Sequence, residues 1–286
     1  IGETLRQFGG ALLMSATLQP YDNIAASCGL SGTCGSELAR DNSAVASKLA
    51  PTSYSTHHAP TPWRAGAYDV AVDLRVTTTY RERANHYGTT AATVEALHQA
   101  AQIGGGVPSP RAVAVFFPSY AYAESVLRAL ENHGSVLRVA LQPKLPDLAA
   151  QSAWVEESMA FSDALFLVLG SSFAEGIDLL GGRVTHAMVV GPALPEVNAV
   201  QKARMDALAG LGRDAAFRRV YQIPGLQKVN QALGRLVRAP GQHAKVLLHC
   251  RRFAEPSYAS LLAMDYQLYR EIATDSDLVD WLSRPA

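Results

Sequence analysis

The chain has 286 residues, 48% of them hydrophobic, with 25 Lys plus Arg balanced by 25 Asp plus Glu. That is enough apolar material for one large or two small domains, while zero formal charge gives no support for a strongly electrostatic nucleic-acid binder and makes any basic surface local. Three cysteines, Cys28, Cys34 and Cys250, without CxxC spacing argue for a reducing, cytoplasmic setting and against a disulfide framework or zinc site. No run approaches the roughly 18 apolar residues of a membrane span. The N-terminus lacks the layout of a signal peptide, and opening on Ile1 it reads as a piece of something longer.

In chain order, the first expected strand is the apolar run Ala11 to Leu18. Residues 31–66, rich in Ser, Thr, Ala, Pro and His, read as a long loop or insertion, and "GGGVPSP" (Gly104 to Pro110) as a turn. Five more strands are expected at Ala112 to Ser119, Val136 to Leu141, Ala164 to Gly170, His186 to Gly191 and Ala244 to Cys250. Most are apolar throughout, as strands covered on both faces are. Helical patterns separate them, for example Ala121 to Gly134. Residues 192–225 read as a helical projection. The alternation predicts an α/β fold, a doubly wound parallel sheet with helices on both faces.

The stretch "VNQALGRLVRAPG" (Val229 to Gly241) reads as a helix and raises a specific question. At about 100° per residue, Gln231, Arg235 and Arg238 share one face, while Val229, Leu233 and Val237 form an apolar stripe. Gly234 costs about 1 kcal/mol against alanine in a helix interior, so something should come close to its backbone. Two guanidinium groups aimed across a cleft suit a transferring phosphoryl group. Strand ends in such a sheet are where ligands sit. Small polar residues stand there: Ser15 to Thr17, Ser119 and Tyr120, and the loop Ser171 to Gly182 with Ser172, Glu175, Gly176 and Asp178. Ser15 and Ser119 fit equally as helix caps, and Glu175 as a residue favoured by a helix dipole. No GxxxxGK[ST] loop and no acidic pair for magnesium is present, so the chain has one half of a nucleotide site. His57 and His58, adjacent in a loop, project differently and make no metal site. "GLSGTCG" has the wrong spacing for a dinucleotide fingerprint.

The order SATLQP, VFFPSY, GSSFAEGIDLLGG, then VNQALGRLVR with a strand and RRF after it, resembles the C-terminal half of superfamily 2 DNA helicases of the XPD/DinG type. The resemblance covers most of residues 1–286 and rests mainly on QxxGRxxR and SFxEGID. It implies the second of two RecA-like domains that close around ATP and magnesium, with the phosphate loop and metal acids on an absent N-terminal domain. Gln231, Arg235 and Arg238 then match the γ-phosphate sensing and arginine-finger motif; Glu175, Gly176 and Asp178, with Gly234, match the nucleotide-linked positions. Ser119, Tyr120 and Ser172 match contacts to single-stranded DNA, and Ser15, Ala16 and Thr17 the motif coupling hydrolysis to movement. Movement is 5′ to 3′ if family polarity holds. The turn "APGQHA" and His249 depart from the family pattern, which suggests a divergent bacterial branch such as the DinG-like helicases accompanying CRISPR systems. On that reading the partners are single-stranded DNA, the N-terminal domain and a CRISPR effector or repair complex, with no membrane. The alternative is a non-catalytic RecA-like module that recruits a protein or nucleoprotein partner.

Overall fold

A computed structural model describes residues 12–15, 18–28, 55–57, 59, 61–103, 112–145, 147–171 and 179–284. The chain divides into two compact units, Ile1–Thr61 and Pro62–Ala286. In the first, the described residues form helix α1 (Tyr21–Ser27). The expected strand at Ala11 to Leu18 is corrected there, since residues 12–15, 18 and 19 adopt no strand. Leu12 and Met14 are about four-fifths exposed, at 79% and 81%. Apolar character alone does not make a strand. Most of residues 31–66 lies outside the described residues.

The second unit holds a seven-stranded sheet: β1 (Tyr68–Asp73), β2 (Val113–Phe117), β3 (Val139–Leu141), β4 (Ala164–Val168), β5 (His186–Val189), β6 (Ala244–Leu248) and β7 (Tyr269–Ile272). Their spatial order is β3-β4-β2-β5-β6-β1-β7, and every pairing is parallel. The helices are α2 (Tyr87–Ile103), α3 (Tyr120–Asn132), α4 (Leu148–Phe161), α5 (Ala199–Ala207), α6 (Arg213–Phe217), α7 (Ile223–Leu233), α8 (Pro256–Ala259), α9 (Met264–Gln267) and α10 (Asp275–Leu282). A π-helical turn, Arg218–Gln222, joins α6 to α7.

Alternate residues of each central strand feed opposite cores, as the two-residue period of a strand requires. Phe116, Leu165, Val189 and Val246 pack with Val155 of α4 and Leu226, Val229 and Leu233 of α7. Phe117, Phe166, Met188 and Leu247 pack on the other face with Val94 and Leu97 of α2, Val126 of α3 and Trp281 of α10. All of β2, β4, β5 and β6 is buried, which is why β2 and β4 read as unbroken apolar runs and β5 and β6 are interrupted only by His186 and Lys245.

Strands β1 and β7 were not expected from the sequence. Strand β1, YDVAVD, carries a partly buried Asp69 and a fully buried Asp73, and a buried charge survives only when paired. The fully buried Lys245 donates to Asp69 at 2.8 Å and to the Trp281 carbonyl at 2.8 Å, its ammonium 4.7 Å from the Trp281 ring. Trp281 Nε1 completes the set with a 3.0 Å bond to Asp69, so α10 is fastened to β1 and β6. At the carboxyl end of β1, Asp73 accepts from Arg75 Nη2 at 2.7 Å and Nε at 2.9 Å and faces His249 Nδ1 at 2.8 Å. The other ring nitrogen of His249 lies 3.0 Å from the Thr90 hydroxyl, and Arg75 also pairs with Asp275. Strand β7 escaped notice because it is an edge of four residues with Arg270 and Glu271 exposed.

Burial by itself would raise the Asp73 carboxyl; the hydrogen bonds from Arg75 and His249 outweigh it and hold the group well below the usual carboxylate range. A depressed carboxylate stabilises the fold fully above its unfolded pKa and loses that contribution as pH falls toward the folded value. Asp73→Asn should therefore cost about 3 kcal/mol at pH 7. Its deficit against the wild type should shrink below about pH 4. Urea midpoints at pH 7 and pH 3 measure this, and a deficit that does not change with pH contradicts it.

Candidate functional site

Helix α7 crosses one face of the sheet from the carboxyl ends of the strands to their amino ends. It ends at Leu233, with Gly234 as its C-cap in ordinary right-handed geometry, φ −59°. The helix expected to continue through Arg238 is thus corrected. The N–H groups of Arg235 and Leu236 instead reach back three residues, to Ala232 at 3.3 Å and Leu233 at 3.1 Å, which tightens the final turn. Gln231 stands on the helix, Arg235 in this turn and Arg238 beyond it, so they do not form one continuous helical face. Gln231 and Arg235 are half-buried, and Arg238 is exposed. At Gly234 a Cβ would lie 3.2 Å from the Asn230 carbonyl and 3.9 Å from the Tyr266 hydroxyl. The closeness inferred there belongs to the chain's own turn.

Several contacts from distant parts of the sequence hold the turn. The Tyr68 hydroxyl, on the first residue of β1, donates to the Leu233 carbonyl at 2.9 Å. Asn230 donates to the Leu261 carbonyl at 2.9 Å and accepts from Ala263 N–H at 3.0 Å. The Leu236 carbonyl accepts from Gly182 N–H at 3.1 Å. Gln242 Oε1 accepts from the N–H groups of Arg238 at 2.7 Å and Ala239 at 3.1 Å. Since Tyr68 pairs in register with Ala244, the first residue of β6, the turn lies beside the amino ends of β1 and β6. The rule that places ligands at carboxyl ends therefore does not locate these arginines.

The end of the SFAEGIDLLGG segment packs directly on the turn. A Cβ on Gly181 would stand 2.9 Å from Arg238 Cγ and 3.4 Å from the Arg235 carbonyl. Gly182 has φ +70°, and a Cβ there would meet Gln242 Nε2 at 2.5 Å. The double glycine is thus what lets this loop approach. Ser172, Glu175, Gly176 and Asp178 themselves lie outside the described residues, as do Ala16 and Thr17; Ser15 is exposed, in the first unit.

A second polar group sits at the carboxyl ends of β2, β3 and β4. Ser119 is the N-cap of α3, accepting from Tyr122 N–H at 3.3 Å, so the cap reading describes its geometry. Tyr120 begins α3 and accepts from Gln142 Nε2 at 2.8 Å. The buried Gln142 accepts in turn from Val168 N–H at 2.7 Å and from Ser171 Oγ at 3.3 Å. The Lys144 ammonium lies 5.1 Å from the Tyr120 ring. The Lys228 side chain of α7 crosses Gly170, its ammonium 2.9 Å from where a Cβ would stand. Sequence reasoning missed Gln142, Lys144, Lys228 and Gln242. For the lysines a signal existed, since only five occur in the chain and these two fall after β3 and on α7. Among the described residues, no three His, Cys, Asp or Glu side chains gather to hold a metal ion, and no helix is long and apolar enough to cross a membrane.

Residues 107–267 match the family model of the helicase C-terminal domain. That segment contains Ser119, Tyr120, Ser172 to Asp178 and Gln231 to Arg238, but not Ser15 to Thr17. The chain is 25% identical over 167 residues to the ATP-dependent DNA helicase chl1 of Schizosaccharomyces pombe, covering 52% of this chain and 20% of that protein. It is also 25% identical over 179 residues to the ATP-dependent DNA helicase CHL1 of Candida albicans, covering 54% and 21%. The match thus spans about a fifth of these relatives' length. Among solved structures, an XPD helicase superimposes with TM-score 0.58 at 19% identity, over 73% of this chain and 36% of that one. The Xpd4 protein of S. tokodaii gives 0.54 at 19%, over 79% and 42%. At that identity the likeness establishes a RecA-like α/β fold. The matches are to XPD- and CHL1-type helicases, and the CRISPR-associated branch suggested by the "APGQHA" turn gains no support from them.

Replacing Gly182 by Ala should destabilise the domain by about 1–2 kcal/mol through the left-handed backbone alone. It should also free Gln242 from Arg238 and Ala239. Chemical denaturation reads the first effect and hydrogen exchange at those two amides the second. Unchanged protection of both amides contradicts the described packing.

Proposed function

Because the chain belongs to the helicase C-terminal domain family, we propose that it is the second motor domain of an ATP-dependent DNA helicase that moves along single-stranded DNA, 5′ to 3′. ATP and magnesium are held between this domain and an N-terminal RecA-like domain that supplies the phosphate loop and the metal acids. The observation that supports this reading most is the fastening of the Arg235 turn. A guanidinium stabilises a transferring phosphoryl group only if it stands ready when the cleft closes, because reorganisation at that moment would consume the gain. Tyr68, Asn230, Gly182 and Gln242 between them fix the backbone from Asn230 to Ala239.

In the closed state Arg235 and Arg238 meet the γ-phosphate and Gln231 senses its presence. Glu175, Gly176 and Asp178 tie the nucleotide to the bound strand, and Ser15, Ala16 and Thr17 couple hydrolysis to movement. The DNA track is the group at the carboxyl ends of β2 to β4. Ser119 and Tyr120 face phosphates there, with Lys144 beside Tyr120 adding positive charge, and Ser172 is a further phosphate contact. Nucleotide and strand therefore engage opposite edges of the sheet, and α7 runs between them. Opening and closing of the two domains then ratchets the strand.

In the complete protein, Arg235→Ala should lower DNA-stimulated ATP hydrolysis by about 10³-fold or more while single-stranded DNA binding stays within about twofold of wild type. Steady-state hydrolysis and a fluorescence-anisotropy titration measure the two. Wild-type turnover in this variant would remove the motor reading and favour a non-catalytic recruiting module.

A further inference from the structure

We propose that Tyr68 is a positioning residue for ATP hydrolysis, acting through the Leu233 carbonyl to set where Arg235 stands; this rests on the arginine-finger reading above. Tyr68 and Arg64 both lie outside the segment 107–267 that matches the helicase family. They reach the turn through the fold alone, across 165 residues of sequence.

The direction of each hydrogen bond follows from what the groups can do. Arg64 has only donors, and its Nη2 lies 2.9 Å from the Tyr68 oxygen, so that oxygen accepts there. The single phenolic proton then points to the Leu233 carbonyl, 2.9 Å away. That carbonyl also takes Leu236 N–H at 3.1 Å, so both of its lone pairs are used. It belongs to the last turn of α7, and Tyr68 supplies its second hydrogen bond at the point where the chain leaves the helix. Arg64 is itself held, with Nη2 3.5 Å from Asp265 and its guanidinium 5.4 Å from the Tyr68 ring centre. The Tyr68 ring meets Tyr266 edge-on at 4.9 Å. Burial pushes the Tyr266 phenol well above its usual pKa, so it stays a neutral, packed neighbour beside Gly234.

The chain of contacts Asp265, Arg64, Tyr68, Leu233 thus ends two residues before Arg235. Its anchor, Tyr68, is fixed by strand pairing to Ala244, and a strand is a stiffer base than a loop. Loss of the hydroxyl leaves the ring packed on Tyr266 and removes one of the bonds that fix the last turn of α7. A displacement of about 1 Å at a reacting group can cost up to about a hundredfold in rate.

The test uses the complete protein with single-stranded DNA. Tyr68→Phe should lower kcat for ATP hydrolysis roughly tenfold, with the KM for ATP and the DNA Kd unchanged. Arg64→Met, which removes the donor that orients the hydroxyl without touching Leu233, should lower kcat in the same direction by less. In an Arg235→Ala background, Tyr68→Phe should cause no further loss, because its effect runs through that arginine. A Tyr68→Phe protein that melts earlier but keeps wild-type kcat has lost only a structural contact, and it overturns the proposal, as does a further loss in the double variant. Should Tyr68→Phe not fold, Arg64→Met with unchanged kcat overturns it alone. An Arg235→Ala protein with wild-type turnover overturns the arginine-finger reading and this inference together. Inactive Arg235→Ala with fully active Tyr68→Phe overturns the positioning role only.

Discussion

The hydrogen bond from the Tyr68 hydroxyl to the Leu233 carbonyl ties β1 to the end of α7, where Gly234 caps the helix. Upstream of it, Leu226, Val229 and Leu233 hold the helix on one face of the sheet. Downstream, Leu236 and Val237 are fully buried although the helix has ended, so the chain cannot swing free. Gly182 takes the Leu236 carbonyl, and Gln242 takes the amides of Arg238 and Ala239. A segment so closely fastened loses little conformational freedom when it meets a ligand, which is the physical content of preorganisation.

The same helix connects two chemically different edges. Near the carboxyl ends of the strands, Lys228 of α7 lies over Gly170, close to the network of Tyr120, Gln142 and Ser171. Near the amino ends, the arginine turn sits beside β1 and β6. Helix α7 thus touches both groups. The buried ion pairs perform a different task. Lys245 with Asp69, and Asp73 with Arg75, tie the central strands to α10 and to the chain after β1. They carry charge into the sheet without forming part of either polar edge.

Much of this could be read from the sequence, for reasons visible in particular residues. The apolar runs of β2, β4, β5 and β6, interrupted only by His186 and Lys245, declared a sheet covered on both sides, and the spacing of Gln231, Gly234, Arg235 and Arg238 carried the family. Strand β1 stayed hidden because Asp69 and Asp73 look like surface residues until Lys245 and Arg75 are seen against them. The run at Leu12 to Ser15 misled in the opposite sense: Leu12, Leu13 and Met14 are apolar but exposed, and none of residues 12–15 lies in a strand. Helical periodicity continued past Leu233, since Leu236 and Val237 keep the apolar phase; the backbone departs because Gly234 caps it. The fastening of the turn was illegible because its partners come from residues 68, 182, 242 and 261–263, separations over which no local pattern reports.

The central claim is that these arginines complete a nucleotide site which this chain does not hold alone. It is tested most directly by measuring ATP hydrolysis by the isolated 286-residue chain, with and without single-stranded DNA, beside the complete protein carrying the N-terminal domain. The account predicts no turnover above background from the isolated chain and DNA-stimulated turnover from the complete protein. Robust hydrolysis by the isolated chain, abolished by Arg235→Ala, would contradict it.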